Sequence, residues 1–538
     1  MKKEKTIAPN LLDKLEAWCS LYQLQIMMGI LLVFTLFSAL LFNMRVSEGG
    51  DDSTYIIRAV NFIKEGRYPS FQGPVYPMFL SLVIGVFGVN LGILKLSSFV
   101  VMLASMWGFY KVFKQRIRYS LLFATLLLAS VSSYYVYFTS QTYSEGLFIL
   151  LQLPVFALTF RIYDKGTNYK QLLLLSAAVL LTVMTRTIGV GVLVSVLLFF
   201  ILNKRYKETL WILGGFFVLL AVVLLVKVAI WQNGFFDDGQ ASTLMYKHPY
   251  QMDQGKETLG GFFMRFIDNS KLYLSKHFLR MVGLRSATVL SLSSGLTLLL
   301  YGIFLFGVYK SFTKNKYLFF VGVYSAVMLG TTFVVLQKIW DQYRLITPYM
   351  PFMIMVLIYG LRQLTKLLTG KWSQYVLLAL VFVSLSGSAL QSFDKIDLLT
   401  LRKNLNGDLY EGYTDDWRHY LSMAEYVGKE LPKESYVAVR KPNMARIYGN
   451  GKKFYGIYRF ESNDADALLK RLKDRNVSHV IMASLRKNPR INNGQTINTL
   501  QRYLYVISKK YPRAIKMEHQ IGKIEPAYLF RIDYEAAK

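Results

Sequence analysis

Cysteine is nearly absent from this sequence. Cys19 stands alone, so no intramolecular disulfide can form, and nothing about redox compartment follows. Histidines number five and are scattered. With no HExxH and no cysteine spacing of a metal site, no cofactor is called for and a divalent metal is not indicated. His248 and His277 fall in one long loop and are open as ligands, although lone histidines are more often polar surface groups. No Walker loop is present, which leaves nucleotide hydrolysis without a motif. Acidic residues are also scarce, 33 against 63 lysines and arginines, for a formal net charge of +30. What is abundant is apolar: 53% hydrophobic residues, 15% aromatic, and a mean hydropathy of +0.31.

That apolar content is gathered into long uncharged blocks, most near the roughly 18–20 residues that cross a bilayer as a helix. Backbone polar groups must pair internally in lipid, so such blocks become helices. They fall near 24–44, 91–113, 119–138, 143–162, 171–186, 187–202, 209–230, 287–309, 317–337, 344–361 and 372–392, about eleven spans. The first lacks a small-residue cleavage site and reads as a retained span rather than a removed signal. The basic residues collect in short links between blocks: Lys111, Lys114, Arg116 and Arg118; Arg161, Lys165 and Lys170; Lys204, Arg205 and Lys207; Lys310, Lys314 and Lys316; Arg362, Lys366 and Lys371. With Lys2, Lys3 and Lys5 they occupy alternate connections, as one cytoplasmic side requires. The positive charge therefore sets membrane orientation and does not point to nucleic acid. The expected topology has the N-terminus inside and the C-terminus outside, in a plasma (inner) membrane.

Three larger pieces fall on the expected outer side: 45–90, 231–286 and 393–538. In the first, the short apolar run Tyr76 to Gly88 is expected to lie at the interface, with Pro74 and Pro77 suiting a helix start. The third changes character. Tyr436–Arg440 and His479–Ala483 read as buried strands, Asp464–Asp474 as an amphipathic helix between them, and Ile515–His519 with Ala527–Ile532 as a hairpin. The expected fold class is thus a mainly α-helical polytopic membrane protein, residues 1–392, with an extracytoplasmic α/β domain, 393–538, of docking or structural role.

Few residues in such a chain carry chemistry. The pair Asp51-Asp52 follows the first span, with Tyr55 and Arg58 after it. Taken alone, the pair reads first as a solvated loop capping the next helix, with Asp51, Asp52 or Ser53 at the N-cap. Functionally, one carboxylate is a general base and its neighbour sets its pKa or orients substrate. Glu145, in Ser-Gln-Thr-Tyr-Ser-Glu-Gly, opens an apolar helix, where an ionisable group needs a partner. Arg186 and Arg344 lie at span ends, where a guanidinium binds a lipid phosphate or snorkels to headgroups.

These residues resemble the GT-C superfamily of polytopic glycosyltransferases, in particular the protein O-mannosyltransferase and aminoarabinose-transferase branch. There an acidic pair follows the first span, with a tyrosine four residues after its first member and a glycine fifteen after. The matching positions are Asp51-Asp52, Tyr55 and Gly66. Gly73-Pro-Val-Tyr-Pro77, Glu145 at the start of the fourth span, and Tyr343-Arg344 with Pro348 and Pro351 complete the register over residues 20–390. Two departures stand out. The pair is Asp-Asp where Asp-Glu is commoner, and Gln72-Gly73 replaces the Glu-Lys of aminoarabinose transferases.

The resemblance implies an inverting single displacement at the outer face, from a sugar on polyprenyl phosphate to a hydroxyl of a protein, glycan or glycolipid of the cell envelope. Asp51 would be the base, with Asp52 and Glu145 orienting groups. Tyr55, Arg58, Arg186, Tyr343 and Arg344 would bind substrate or lipid phosphate. The partners implied are the lipid-linked sugar, its acceptor and the bilayer, not nucleic acid. A flippase for lipid-linked glycans, or an anchored receptor using its tail, would share the same composition.

Overall fold

The computed structural model describes residues 10–70, 72–232, 243–249, 254–367, 373–488 and 494–537. Lys2, Lys3, Lys5 and Lys371 lie outside these. All eleven apolar blocks are helical. Among the described residues seven helices are long and apolar enough to cross a membrane: Gln23–Leu40, Leu91–Phe113, Ser144–Lys165, Tyr206–Trp231, Ser294–Lys314, Lys316–Val335 and Gln374–Phe393. An eighth span is counted if Tyr119–Val131 and Ser133–Thr139, bent by 66° at Ser132, are one. The remaining blocks form shorter helices, Tyr169–Thr185, Val190–Leu202 and Met350–Thr365. The chain is a polytopic, mainly helical membrane protein with a small C-terminal sheet.

The exposed faces explain why lipid is required. Tyr206–Trp231 leaves Leu210, Phe217, Val218, Leu225 and Ile230 uncovered, a surface no water-soluble protein keeps. Inward faces pack on aromatic rings: Phe156 stacks on Phe352 at 4.6 Å and meets Phe320 at 4.8 Å and Tyr324 at 4.9 Å. Edge-to-face and offset contacts of this kind add directionality to dispersion.

The chain divides into two compact units. The first holds residues up to Phe42, Gly66–Phe79 and Ile93–Asp397, and contains the apolar helices after the first loop. The second joins Asn43–Glu65 and Leu80–Gly92 to Leu398–Lys538. The boundary near 397 lies close to the change in composition at 393, but two pieces of the first loop group with the distant tail. Hydrogen bonds tie the first of these pieces to the tail. Met44 N–H donates to Asn404 Oδ1 at 2.8 Å, Tyr413 Oη donates to the Val46 carbonyl at 2.6 Å, and Arg45 reaches the Gly412 carbonyl.

The tail carries a five-stranded sheet: β1 Tyr436–Val439, β2 Phe454–Gly456, β3 Val477–Ala483, β4 Ile515–Ile521 and β5 Ala527–Ile532, in the order β2-β1-β3-β5-β4. β1 runs parallel to β2 and β3, whereas β5 is antiparallel to β3 and β4. The Ala465–Asp474 helix starts at Asp464, whose carboxylate accepts from Asp466 N–H at 3.0 Å. Its Leu468, Leu469 and Leu472 face the Thr499–Lys510 helix and close one side of the sheet core.

Candidate active site

The first group of candidates belongs to the second unit. Gly50, at φ +88°, makes the sharp turn into the helix Asp51–Glu65, a backbone angle that favours glycine. Its carbonyl accepts from Thr54 N–H at 3.1 Å and from the Ser53 and Thr54 hydroxyls, both at 2.8 Å. Both aspartates thus sit in the first helical turn, where the helix dipole favours negative charge. Their surroundings differ. Asp52 is buried, and its two oxygens accept from Ser47 N–H at 2.7 Å and Ser53 N–H at 2.8 Å, tying the preceding turn to the helix. Asp51 is half-exposed.

Tyr55 and Arg58 follow Asp51 at i+4 and i+7, so the three share one helical face. Tyr55 is buried. Burial lowers the Arg58 pKa from its usual value, while Tyr55 and Asp51 beside it act in the opposite direction.

The second group lies in the first unit. Glu145, in the first turn of Ser144–Lys165, pairs with Arg186 NH1 at 2.7 Å, and its side chain is only 2% exposed. Arg186 stands where Tyr169–Thr185 ends in extended backbone, and it also donates to the Ser144 hydroxyl at 3.1 Å. The second Glu145 oxygen, Oε2, is buried with no hydrogen-bond partner among the described residues. A buried carboxylate oxygen in that state is poised to accept one more donor.

Arg344 lies 5.0 Å above the Tyr143 ring and donates to Gln342 Oε1 at 2.8 Å. Tyr343 stands edge-on to Tyr134 at 4.8 Å and to Tyr137 at 6.2 Å. The candidates are therefore brought together as Asp51, Asp52, Tyr55 and Arg58 in one unit, and as Glu145, Arg186, Tyr343 and Arg344 in the other.

Three features of the first unit escaped the sequence reading. Lys95, inside an apolar helix, is 1% exposed and donates to the Ser140 carbonyl at 2.5 Å. The signal was present, since a lysine amid Leu91–Phe113 needs a reason. Lys395 Nζ sits 3.7 Å from the Tyr134 ring centre and donates to the Ser133 hydroxyl at 2.8 Å. A π-helix, Lys271–Phe278, places Lys276 and His277 on Asp341 at 2.5 and 2.6 Å, holding the segment that leads to Arg344.

His277 is thus buried, not the surface group expected of it. Burial lowers its pKa, with Asp341 acting in the opposite direction, and the hydrogen bond between the two is the main cause that holds Asp341 well below the usual carboxylate range. Among the described residues no group of three or more His, Cys, Asp or Glu gathers to hold a metal.

Gly73 accounts for the departure at Gln72-Gly73. It has φ +102°, and a Cβ there would lie 2.4 Å from the Met184 carbonyl oxygen and 2.7 Å from that of Thr185. No side chain fits at 73, so the loop packs backbone to backbone beside Arg186, and a lysine is sterically excluded.

Residues 71–231 match the family model described as dolichyl-phosphate-mannose-protein mannosyltransferase. No curated protein matches this sequence. Among solved structures, the chain resembles ArnT from Cupriavidus metallidurans bound to undecaprenyl phosphate. The TM-score is 0.53 at 10% identity, covering 95% of this chain and 98% of that one. It also resembles the Archaeoglobus fulgidus oligosaccharyltransferase tethered to an acceptor peptide, at TM-score 0.53 and 9% identity, covering 97% of this chain and 75% of that one. AglB of the same organism, in complex with an inhibitory peptide and a dolichol-phosphate, gives 0.52 at 10% identity, covering 94% and 74%. The chain thus shares the fold of these membrane proteins over nearly its whole length, and residues 71–231 carry the family match.

Proposed function

We propose that this protein is a membrane glycosyltransferase that moves a sugar from a polyprenyl-phosphate donor to an acceptor hydroxyl at the extracytoplasmic face, with inversion. The observation that carries the reading is the Glu145–Arg186 pair. A buried ion pair with one carboxylate oxygen unpartnered is costly unless a ligand completes it, and a sugar hydroxyl is a fitting donor. The lipid phosphates named with structures of the same fold support the donor class.

In this reading Asp51 removes the proton from the acceptor hydroxyl as its oxygen bonds to the anomeric carbon. The bond from that carbon to the phosphate oxygen breaks, and its electron pair leaves with the polyprenyl phosphate. Arg186 and Arg344 stabilise the charge that grows there. Phosphate is a good leaving group, so no second acid is needed. Asp52 positions Asp51 by fixing the turn before it. Tyr55 and Arg58 continue the same face toward substrate, and Tyr343 sets the aromatic wall beside Arg344.

Mass spectrometry of glycoproteins, glycolipids and polyprenyl-phosphate sugars, with and without the protein, tests this. The expected result is loss of one glycosylated product and accumulation of one lipid-linked sugar when the protein is absent. An unchanged product set, with lipid-linked sugar redistributed between leaflets, would instead identify a flippase.

A further inference from the structure

The Asp51–Glu65 helix is held along its length by one short helix of the sheet domain, Pro442–Tyr448, and by the residues flanking it. Asn443 Nδ2 donates to Thr54 Oγ1 at 3.0 Å. Arg446 donates to Asn61 Oδ1 at 2.9 Å and lies 3.8 Å from Glu65, which also meets Lys453 at 2.9 Å. The first rung is Lys441, immediately before that short helix. Its Nζ donates to the Gly49 carbonyl at 3.1 Å, and a Cβ on Gly50 would lie 3.6 Å from it.

Lys441 is not a loose surface lysine. The buried Tyr420 hydroxyl donates to its carbonyl and accepts from its N–H, both at 3.1 Å, so the backbone that carries it is fixed. Its ammonium is thereby set on the turn that launches the acidic pair.

We propose that Lys441 is a positioning residue for Asp51: it fixes the Gly49–Gly50 turn and supplies the positive charge beside the acidic pair. This rests on the glycosyltransferase reading and on Asp51 as its base. It also gives the C-terminal domain a task, since the domain organises the helix that bears the base. The charged groups facing Lys441 are Arg440, Glu48, Asp51 and Asp52. Burial is the largest influence and lowers its pKa, helped by Arg440 and opposed by the three carboxylates, leaving it at about 8. The ammonium is charged below that pH and is lost as pH rises through it.

The test uses membranes of the native cells, whose own lipid-linked sugars act as donor, with product read by mass spectrometry. Wild-type transfer should fall as pH rises past about 8. Lys441→Arg should keep transfer and carry it to higher pH, because a guanidinium does not titrate there. Lys441→Met should lose about 10²-fold in turnover, the effect of a ~1 Å misplacement of a reacting group. A Lys441→Met protein with wild-type turnover and pH profile overturns the inference.

A second measurement needs no turnover. Acetylation of Lys441 by acetic anhydride, followed by peptide mass spectrometry across pH, should show a midpoint near 8, and a lower one in Asp51→Asn. A midpoint in the ordinary lysine range, or one indifferent to Asp51→Asn, also overturns it. If Asp51→Asn transfers normally, the parent reading falls. If it is inactive while Lys441→Met is unaltered, only the role of Lys441 falls.

Discussion

Asp51→Asn is expected to lower sugar transfer by about 10²–10⁴-fold, the usual contribution of a positioned general base. The amide is nearly isosteric and leaves the helix start in place, because the Gly50 carbonyl and the Ser53 and Thr54 hydroxyls make the turn without Asp51. Membrane insertion and the thermal unfolding midpoint should therefore match wild type. Asp52→Asn is the informative contrast. An amide oxygen can replace only one of the two acceptors that meet Ser47 and Ser53 N–H, so this variant should lose stability by about 1–3 kcal/mol along with activity. Wild-type transfer by Asp51→Asn would remove Asp51 from the chemistry.

Arg186→Ala should give the second large effect, and chiefly on stability. It strands the Glu145 carboxylate, 2% exposed, in an apolar bundle, and removing one partner of a buried pair costs about 3–5 kcal/mol. Pairing Arg186→Leu with Glu145→Leu deletes both charges, so the unfolding midpoint in detergent should recover much of the loss. Transfer should not recover if, as proposed, Glu145 accepts from the sugar and Arg186 faces the phosphate, since both groups are gone. If the double variant regains transfer together with stability, the pair is structural only.

Much of the architecture was readable because lipid imposes a simple rule. Uncharged blocks of the right length become helices, and all eleven did, although Tyr169–Thr185, Val190–Leu202 and Met350–Thr365 are shorter than a full span. The tail was legible for the same reason of period. Strands near 436, 479, 515 and 527 and the helix ending at Asp474 all appear. β2 did not declare itself, being three residues in Lys453-Phe-Tyr-Gly456 that take strand form only by pairing with β1. Composition near 393 marked a change of environment but carried no information about which earlier segment the tail would recruit. The pairing of Lys441 with the Gly49 carbonyl joins positions far apart in sequence, and no local pattern encodes it. The same holds for the Lys276–His277–Asp341 cluster, which depends on a π-turn that hydropathy does not register.

The discontinuity of the second unit has a consequence for biogenesis. Its first two pieces, Asn43–Glu65 and Leu80–Gly92, leave the ribosome early, but the third begins at Leu398, and the whole of 93–397 must be made and inserted in between. At roughly 5–20 residues per second this takes on the order of tens of seconds. During that interval Met44, Val46 and Asn61 have none of their tail partners, and the helix bearing Asp51 has only early-made neighbours such as Leu80–Gly92. If Asp51 is the base, as proposed, its surroundings are completed only once the tail arrives, after the membrane helices are made, so a nascent chain would stay inactive until synthesis is nearly complete.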